Sequence, residues 1–212
     1  MRIILASQSP RRKELLEQIG VKFEIIPAKG EEIVRHKEPQ LVVEDLSYQK
    51  AVEIFQKEYK DFKIDSSVSY NRDRRENDFL IIGSDTVVAY KDKILGKPKD
   101  EAEAVSMLTM LQGRSHHVFT GVTLIYSKDE AIIADTFHIK TNVFMYPMTE
   151  KEILKYVASK EPMDKAGSYA IQGKCAPFIE KIEGDYNTVV GLPVAEIYQH
   201  LLKVDIDILN IS

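Results

Sequence analysis

The chain contains 212 residues, of which 44% are hydrophobic and 29% are charged, and its formal net charge is −4. This length accommodates one large α/β domain or two closely packed lobes, and the composition is ordinary for a water-soluble globular protein. The acidic balance argues against a nucleic-acid partner, so a polyanion bound here should be small and should meet a local group of cations.

A single cysteine, Cys175, excludes an internal disulfide bond and fits a reducing compartment. Its thiol is expected to be packed in the interior rather than to act as a nucleophile. No apolar run approaches the length of a membrane span. We therefore expect a cytoplasmic protein that has no membrane partner.

The first predicted elements are a strand, a tight turn and a helix. Residues 3–6 form a short apolar run, Ser9 is a favourable N-cap, and Pro10 suits the first position of a helix. Arg11 and Arg12 then lie in the first turn, where their charges oppose the helix dipole. A solvated basic turn is the ordinary explanation of such a pair. The strand directly before the turn favours instead a phosphate site built from backbone N–H groups, hydroxyls and guanidinium groups.

A short strand is predicted at residues 22–26, followed by a long helix from about residue 39 to residue 59. Lys50 falls in the middle of the apolar stripe of this helix. Its ammonium group must either reach solvent along the helix surface or meet an anion. Residues 57–78 are highly polar and are interpreted as a mobile surface loop, because interleaved acids cancel the charge that a nucleic-acid-binding arm would need.

The rest of the pattern mixes strands and helices without strict alternation, which predicts an α/β fold with a long mixed sheet flanked by helices. Residues 87–90 continue the strand at 79–82 or pair with it across residues 83–86. Helices are expected to begin near residues 100, 149 and 193, the first of them stopping at Gly113. Further strands are expected at residues 117–120, 122–126, 132–144, 169–171 and 178–182.

Asp85 lies between two apolar runs, where a carboxylate is rare and is costly to bury without a partner. A rigid carboxylate at a strand end suits general-base catalysis or metal ligation. An Asx turn that caps the strand end explains the residue equally well. At this point both explanations stay open.

Five cations stand near small or turn residues in this chain of negative net charge. Such a distribution suits a triphosphate, which needs several separate cations. Neither a P-loop nor the dinucleotide-binding glycine fingerprint is present, so the site must be of another kind. The five cations are Arg11, Arg12, Lys50, Lys97 and Lys165.

A metal in such a site should be a hard cation such as Mg²⁺, held by Asp85, by Glu31 or Glu32, and by the phosphates of the substrate. A transition metal is not expected at His116 and His117, because adjacent residues of a strand face opposite ways. Both histidines are interpreted as structural.

Seven motifs, taken together and in order, make the chain resemble the Maf family of nucleoside triphosphate pyrophosphatases, also called septum formation inhibitors. The resemblance covers nearly the whole chain. The motifs occupy residues 6–12, 50–51, 83–88, 95–98, 113–121, 164–173 and 184–193.

The resemblance implies a fold similar to that of inosine triphosphate pyrophosphatases, with residues 1–212 forming one domain of two lobes around a deep cleft in an elongated mixed sheet. It also implies hydrolysis of a nucleoside triphosphate to the monophosphate and pyrophosphate, assisted by a divalent metal, Mg²⁺ or Mn²⁺. A homodimer is the family expectation.

The resemblance further assigns roles to individual residues. Asp85 is the proton acceptor. Ser7, Arg11 and Arg12 hold phosphates. Lys50, Lys97 and Lys165 line the cleft, the first two as part of the catalytic group.

Residues 169–173 are similar to the subgroup that prefers dTTP and UTP, in which the positions matching Arg11, Thr86 and Gln172 bear on the choice of base. The chemistry agrees, because a uracil or thymine edge carries an N–H between two carbonyl groups, and a glutamine amide both donates and accepts hydrogen bonds. The implied substrates are dTTP, UTP and modified pyrimidine nucleotides.

The chain departs from the family pattern at three places. Residues 29–32 replace the usual acidic sequence Asp-Ile-Asp-Glu, Ser84 replaces the usual alanine, and the segment 57–78 is longer than typical. Two other functions stay open. One is a nucleotide-binding regulator of cell division with little turnover, and the other is a phosphatase that releases orthophosphate.

Overall fold

The structure is a computed structural model that describes residues 1–64, 78–128 and 131–210. The helices of the described ranges are α1 (Pro10–Gln18), α2 (Pro39–Glu58), α3 (Glu101–Leu111), α4 (Glu150–Ala158), α5 (Tyr186–Val190) and α6 (Val194–Leu202). The strands are β1 (Arg2–Leu5), β2 (Glu24–Ile25), β3 (Phe79–Tyr90), β4 (Lys93–Leu95), β5 (Ser115–Lys128), β6 (Ala131–Met145) and β7 (Ile179–Glu183).

The described strands form one mixed sheet in the order β2, β1, β3, β5, β6, β7, and β4 pairs with β3. β1 is parallel to both β2 and β3, in a register that places Ile4 opposite Ile81. Parallel neighbours need a crossover connection, which α1 supplies between β1 and β2. β4 and β7 are antiparallel to β3 and β6. The predicted α/β class with a mixed sheet flanked by helices is therefore confirmed.

The chain divides into two compact units. The first unit comprises Met1–Asp85, Gly121–His138 and Gly191–Ser212, and the second comprises Thr86–Thr120 and Ile139–Val190. β3, β5 and β6 contribute residues to both units. The predicted arrangement of two lobes around a cleft stays a prediction.

In the first unit, α2 packs on the sheet at two glycines. A Cβ atom on Gly83 would lie 2.4 Å from the Ser47 carbonyl oxygen, and one on Gly121 would lie 2.2 Å from the Val43 carbonyl oxygen. Both separations are far shorter than van der Waals contact, so only glycine fits where the helix backbone touches the strands. Of the two alternatives for residues 87–90, continuation of the strand at 79–82 is correct, and the break predicted between residues 120 and 122 is wrong, because these glycines allow close packing rather than turns. β3 and β5 run unbroken through them.

Each unit has a hydrophobic core of its own, and burying one large apolar side chain contributes about 1.5–3 kcal/mol. In the first unit the core joins β1, α2 and β3 through Ile4, Ala51, Ile54, Phe55, Phe79 and Ile81. In the second unit it joins α3, α4 and β6 through Leu108, Leu111, Val143, Ile153, Tyr156 and Val157.

The predicted helix starts are confirmed where side chains cap them. Asp100 accepts a hydrogen bond from the Glu103 backbone N–H at the start of α3. Thr149 and Glu152 form the expected capping box at the start of α4. Such caps satisfy N–H groups that have no partner within the helix, which fixes where each helix begins.

The strand predicted at residues 169–171 is wrong. These residues form an irregular connection between two short 3-10 helices, Ala166–Ser168 and Gly173–Phe178. Tyr169 is buried in the core of the second unit, so its apolar character reflects packing of a loop rather than a sheet. α5 was not predicted, and Asp185 stabilises its start by accepting from the backbone N–H and the hydroxyl of Thr188.

The polar segment 57–78, interpreted as a mobile loop, begins inside α2, which continues to Glu58. Tyr59 stacks on Phe79 with ring centroids 3.9 Å apart, and Phe62 and Ile64 pack against the first unit's core. Residues 65–77 lie outside the described residues. Among the helices described, none is both long and apolar enough to cross a membrane.

Candidate active site

The turn between β1 and α1 places Ser7 in contact with Arg12 in the first unit. Ser7 is buried, and its Oγ accepts hydrogen bonds from the Ser9 backbone N–H at 3.2 Å and from Arg12 Nη1 at 3.1 Å. Ser9 occupies the predicted N-cap position, but its side chain makes no capping hydrogen bond. The first-turn N–H groups of α1 are therefore not capped by Ser9, which suits a helix start that receives an anion.

The Arg12 guanidinium group is fixed at a second point, because its Nε donates to the Gly191 carbonyl oxygen at 2.8 Å. Burial lowers the pKa of Arg12, the negative charge of Asp85 raises this pKa, and the positive charge of Arg11 lowers it. Arg11 is thus close enough to Arg12 to repel it. Two repelling cations at a helix N-terminus are stabilised by a bound phosphate, which supports the predicted role of both arginines.

Lys50 joins two carboxylates. Its Nζ lies 2.5 Å from Asp85 Oδ1 and 3.0 Å from Glu32 Oε1. The side chains of Lys50 and Asp85 are only 16% and 12% exposed, so solvent screens their attraction less than it screens a surface pair. Of the two explanations offered for Lys50, contact with an anion is therefore correct. Of the two predicted acids, Glu32 makes the contact with Lys50, and both acids are exposed.

Asp85 lies inside β3 and not at a strand end, so that part of the prediction is wrong. Residues two apart in a strand share a face, and Gly83 is the residue that lets α2 approach this face. Lys50 on α2 consequently reaches Asp85. The carboxylate pairs with an ammonium group and does not cap a turn, which removes the Asx-turn explanation.

The carboxylates of Asp85 and Glu32 meet at one cation, Lys50 Nζ. Carboxylate oxygens are the ligands that Mg²⁺ and Mn²⁺ prefer, so these two residues fit a shared role in holding a divalent cation. Within residues 1–64, 78–128 and 131–210, no group of three or more His, Cys, Asp or Glu side chains could hold a metal. Phosphate oxygens of a substrate would have to complete the coordination.

Two of the predicted cations, Lys97 and Lys165, belong to the second unit. A hydrogen bond of 3.0 Å from the Gly167 N–H to the Gly96 carbonyl ties together the two loops that carry them. Lys97 is exposed. Lys165 is 12% exposed at its side chain, and its Nζ lies 2.6 Å from both Asp164 Oδ1 and the Glu161 carbonyl oxygen.

Thr86 is oriented by a chain of hydroxyls in the second unit. Thr120 Oγ1 donates to the Thr188 carbonyl oxygen at 2.7 Å, and Thr86 Oγ1 lies 2.9 Å from Thr120 Oγ1. A hydroxyl has one proton, and that of Thr120 is used by the carbonyl. Thr86 must therefore be the donor in its bond to Thr120. Thr120 was missed in the sequence, where nothing distinguishes it from an ordinary strand threonine.

Gln172 is exposed and lies on the connection that precedes the 3-10 helix Gly173–Phe178. The main chain beside it is held by Glu161, whose two carboxylate oxygens accept from the Lys174 N–H at 3.0 and 3.3 Å. Glu161 was also missed in the sequence.

Ser84, the departure from the family's alanine, lies fully buried in β3. Its Oγ donates to the Gly191 carbonyl oxygen at 3.1 Å, and the same oxygen accepts from Arg12. The hydroxyl thus adds one hydrogen bond to the loop that fixes the Arg12 guanidinium group.

His116 and Cys175 are structural, as predicted. His116 is buried with its Nε2 2.6 Å from the Tyr169 hydroxyl, and burial lowers its pKa to about 4, so the ring is neutral at pH 7. Cys175 is buried, and burial raises its pKa to about 12. A thiol with so high a pKa is a poor nucleophile.

The fold and these residues define a mixed α/β protein with an arginine-bearing helix start and a lysine–carboxylate cluster. The Maf-like protein family matches residues 2–204, and the chain belongs to this family. The resemblance found in the sequence motifs is thereby confirmed.

Three relatives match the chain over nearly its whole length, and each is named dTTP/UTP pyrophosphatase. The protein of Agathobacter rectalis is 52% identical, with 97% of this chain and 98% of the relative covered. That of Lachnoclostridium phytofermentans is 46% identical, with 98% of both chains covered. That of Bacillus thuringiensis subsp. konkukian is also 46% identical, with 98% and 97% covered. The homodimer and the individual residue roles stay predictions.

Proposed function

We propose that this protein hydrolyses dTTP and UTP to the nucleoside monophosphate and pyrophosphate. The observation that carries the proposal is the Lys50–Asp85 pair beside an arginine-bearing helix start, in a chain whose relatives are named for this activity.

Arg11, Arg12, Ser7 and the N-terminus of α1 bind the phosphates in this proposal. Guanidinium groups offer several N–H donors in a fixed plane, which matches phosphate oxygens. Arg12 is held by Ser7 and Gly191 before a ligand arrives, so little conformational freedom is lost when the phosphates bind.

Asp85 acts as the general base. It takes a proton from a water molecule whose oxygen attacks the α-phosphorus, while the bond between that phosphorus and the bridging oxygen breaks. The bonding electrons leave with pyrophosphate, and Lys50 and Lys97 offset the charge that gathers there. Asp85 and Glu32, together with the phosphates, would hold a divalent cation, which would supply further charge neutralisation.

Gln172 selects the base. Its amide can accept from the base N–H of uracil or thymine and donate to an adjacent carbonyl, which cytosine does not offer in the same pattern. Thr86 contributes a hydroxyl whose direction is set by Thr120. Lys165 binds the phosphate or sugar portion.

Product analysis tests this function. The protein is incubated with dTTP, UTP and GTP in the presence of Mg²⁺, and products are separated by ion-exchange chromatography and followed by phosphorus NMR. The proposal expects monophosphate and pyrophosphate in equal amounts, formed faster from dTTP and UTP than from GTP. Binding without products would favour the regulator, and orthophosphate as first product would favour the phosphatase; either result overturns the proposal.

A further inference from the structure

Gln172 lies on a segment that no strand pairing supports. Residues 169–172 connect two short 3-10 helices, and Gln172 itself is exposed. A residue that discriminates between bases must be held in place before it can favour one hydrogen-bonding pattern over another. Its first residue, Tyr169, is held by His116 on β5, so the Gln172 end of the segment needs an anchor of its own.

Glu161 supplies this anchor. Both of its carboxylate oxygens accept from the Lys174 backbone N–H, at 3.0 and 3.3 Å, two residues beyond Gln172. Between them lies Gly173, where a Cβ atom would come within 2.7 Å of Glu161 Oε1. The φ angle of Gly173 is +76°, which also favours glycine. The main chain thus rests directly on the carboxylate.

The carboxylate is itself fixed from the core. The hydroxyl of Tyr156 on α4 lies 3.2 Å from Glu161 Oε1, and Tyr156 is 4% exposed. Because burial raises the pKa of Tyr156, the hydroxyl keeps its proton and donates to the carboxylate. Tyr156 packs in the core of the second unit, so the anchor is tied to that core.

The same residue also holds Lys165. The main-chain carbonyl oxygen of Glu161 accepts from Lys165 Nζ at 2.6 Å. One residue therefore fixes two predicted substrate contacts of the second unit. It holds the Gln172 segment through its carboxylate and the Lys165 ammonium group through its carbonyl.

We propose that Glu161 is a positioning residue that sets the discrimination of this protein between uracil or thymine nucleotides and cytosine nucleotides. This inference rests on the proposed function. Loss of the carboxylate releases the main chain beside Gln172. The side-chain amide of Gln172 then samples several orientations and discriminates less well between bases. The reacting groups Asp85 and Lys50 contact one another in the first unit and do not depend on this anchor.

The test compares Glu161→Ala, Glu161→Gln and Tyr156→Phe with wild type. Glu183→Ala is the matched control, because Glu183 lies in the same unit and its exposed carboxylate pairs with Lys181. For each protein, kcat and KM are measured with dTTP, UTP and CTP. Amide hydrogen exchange is followed in the peptide that contains Lys174, and thermal unfolding confirms that each variant folds.

We expect E161A to raise KM for dTTP and UTP by about tenfold or more, with kcat changed by less than about threefold, and KM for CTP to change little. E161Q retains one acceptor oxygen and should lie between E161A and wild type, as should Y156F. Exchange of the Lys174 amide should become faster in E161A. The E183A control should match wild type in all three readouts.

Equal losses with dTTP and CTP, or a fall in kcat at unchanged KM, would overturn the inference. Unchanged exchange at Lys174 in E161A would also overturn it. If E161A does not fold, the same criteria apply to E161Q and Y156F. The exchange measurement and dTTP binding by calorimetry need no turnover, so a wild-type protein without pyrophosphatase activity would refute the proposed function and still leave the anchor testable.

Discussion

The two units hold their candidate site residues in different ways. In the first unit the charged side chains contact one another or the main chain, as Lys50 does with Asp85 and Arg12 does with the Gly191 carbonyl oxygen. In the second unit hydrogen bonds to hydroxyl, carbonyl and carboxylate oxygens hold the site residues: Thr120 orients Thr86, and Glu161 holds Lys165 through its carbonyl and the Lys174 N–H through its carboxylate. The first arrangement concentrates charge, which suits proton transfer and phosphate binding. The second fixes directions of hydrogen bonds, which suits recognition.

The largest effect is expected from substitution of the proposed general base, Asp85, in the first unit. Asp85→Asn keeps the shape of the side chain but cannot take a proton, so kcat for dTTP should fall by about 10²–10⁴-fold while dTTP still binds. Pyrophosphate release and calorimetric binding measure the two quantities. Asp205→Asn, at a side chain that is 93% exposed, is the matched control. Full activity of D85N would remove Asp85 from the mechanism.

A smaller effect is expected at the phosphate-binding arginine. Arg12→Ala removes a guanidinium group that Ser7 and Gly191 hold in place, and hydrogen bonds to charged groups contribute about 1.5–3 kcal/mol, so kcat/KM should fall roughly 10- to 100-fold. Steady-state kinetics with dTTP measure this. Arg114→Ala, at an exposed arginine bound to the Met110 carbonyl, should leave kcat/KM near wild type. An R12A variant with unchanged KM and kcat would contradict the phosphate role.

The stability of the second unit should depend on pH because of His116. The folded pKa of about 4 lies below the ordinary histidine pKa of 6.5, so the unfolded chain binds more protons between these values. The contribution of His116 to stability is therefore present above about pH 6.5 and is lost as the pH falls through this window. At pH 4 the loss is about 3 kcal/mol.

His116→Gln should make the free energy of unfolding less dependent on pH between pH 6.5 and 4. Urea unfolding at several pH values measures the difference from wild type. His36→Gln, at an exposed histidine of the first unit, is the control and should follow the wild-type curve. An H116Q curve parallel to that of wild type would show that His116 is not held neutral by burial.

The smallest effect is expected at Ser84. Ser84→Ala removes one buried hydrogen bond to Gly191, whose carbonyl still accepts from Arg12, so the free energy of unfolding should fall by about 0.5–1.5 kcal/mol. KM for dTTP should change by less than about threefold. Ser115→Ala, at an exposed serine, is the control. A tenfold rise in KM would mean that Ser84 positions Arg12 more strongly than one neutral hydrogen bond allows.

The first unit's site was largely predictable from the sequence, because its residues violate local rules. Arg11 and Arg12 oppose a helix dipole, Lys50 interrupts an apolar stripe, and Asp85 interrupts an apolar run. Each of these unfavourable positions predicted that the charged group contacts a group of opposite charge. The partners themselves are set by tertiary contacts, and the pairing of Lys50 with Asp85 depends on the close approach of α2 at Gly83.

The residues whose roles were not predicted do not violate any local sequence rule. Gly83 and Gly121 have the sequence character of turns, because nothing local distinguishes a glycine in a turn from one that contacts a helix backbone. Glu161 and Thr120 obey every local rule. Their roles arise only from contacts with Lys174 and Thr86, which are brought to them by the fold.

Hydrolysis of dTTP in ¹⁸O-labelled water tests directly whether the first unit directs water to the α-phosphorus. The products are separated, and the label in each is measured by mass spectrometry. Attack at the α-phosphorus places one ¹⁸O atom in the monophosphate and none in pyrophosphate, which is the expected result. Label in pyrophosphate, or in orthophosphate as the first product, would contradict it.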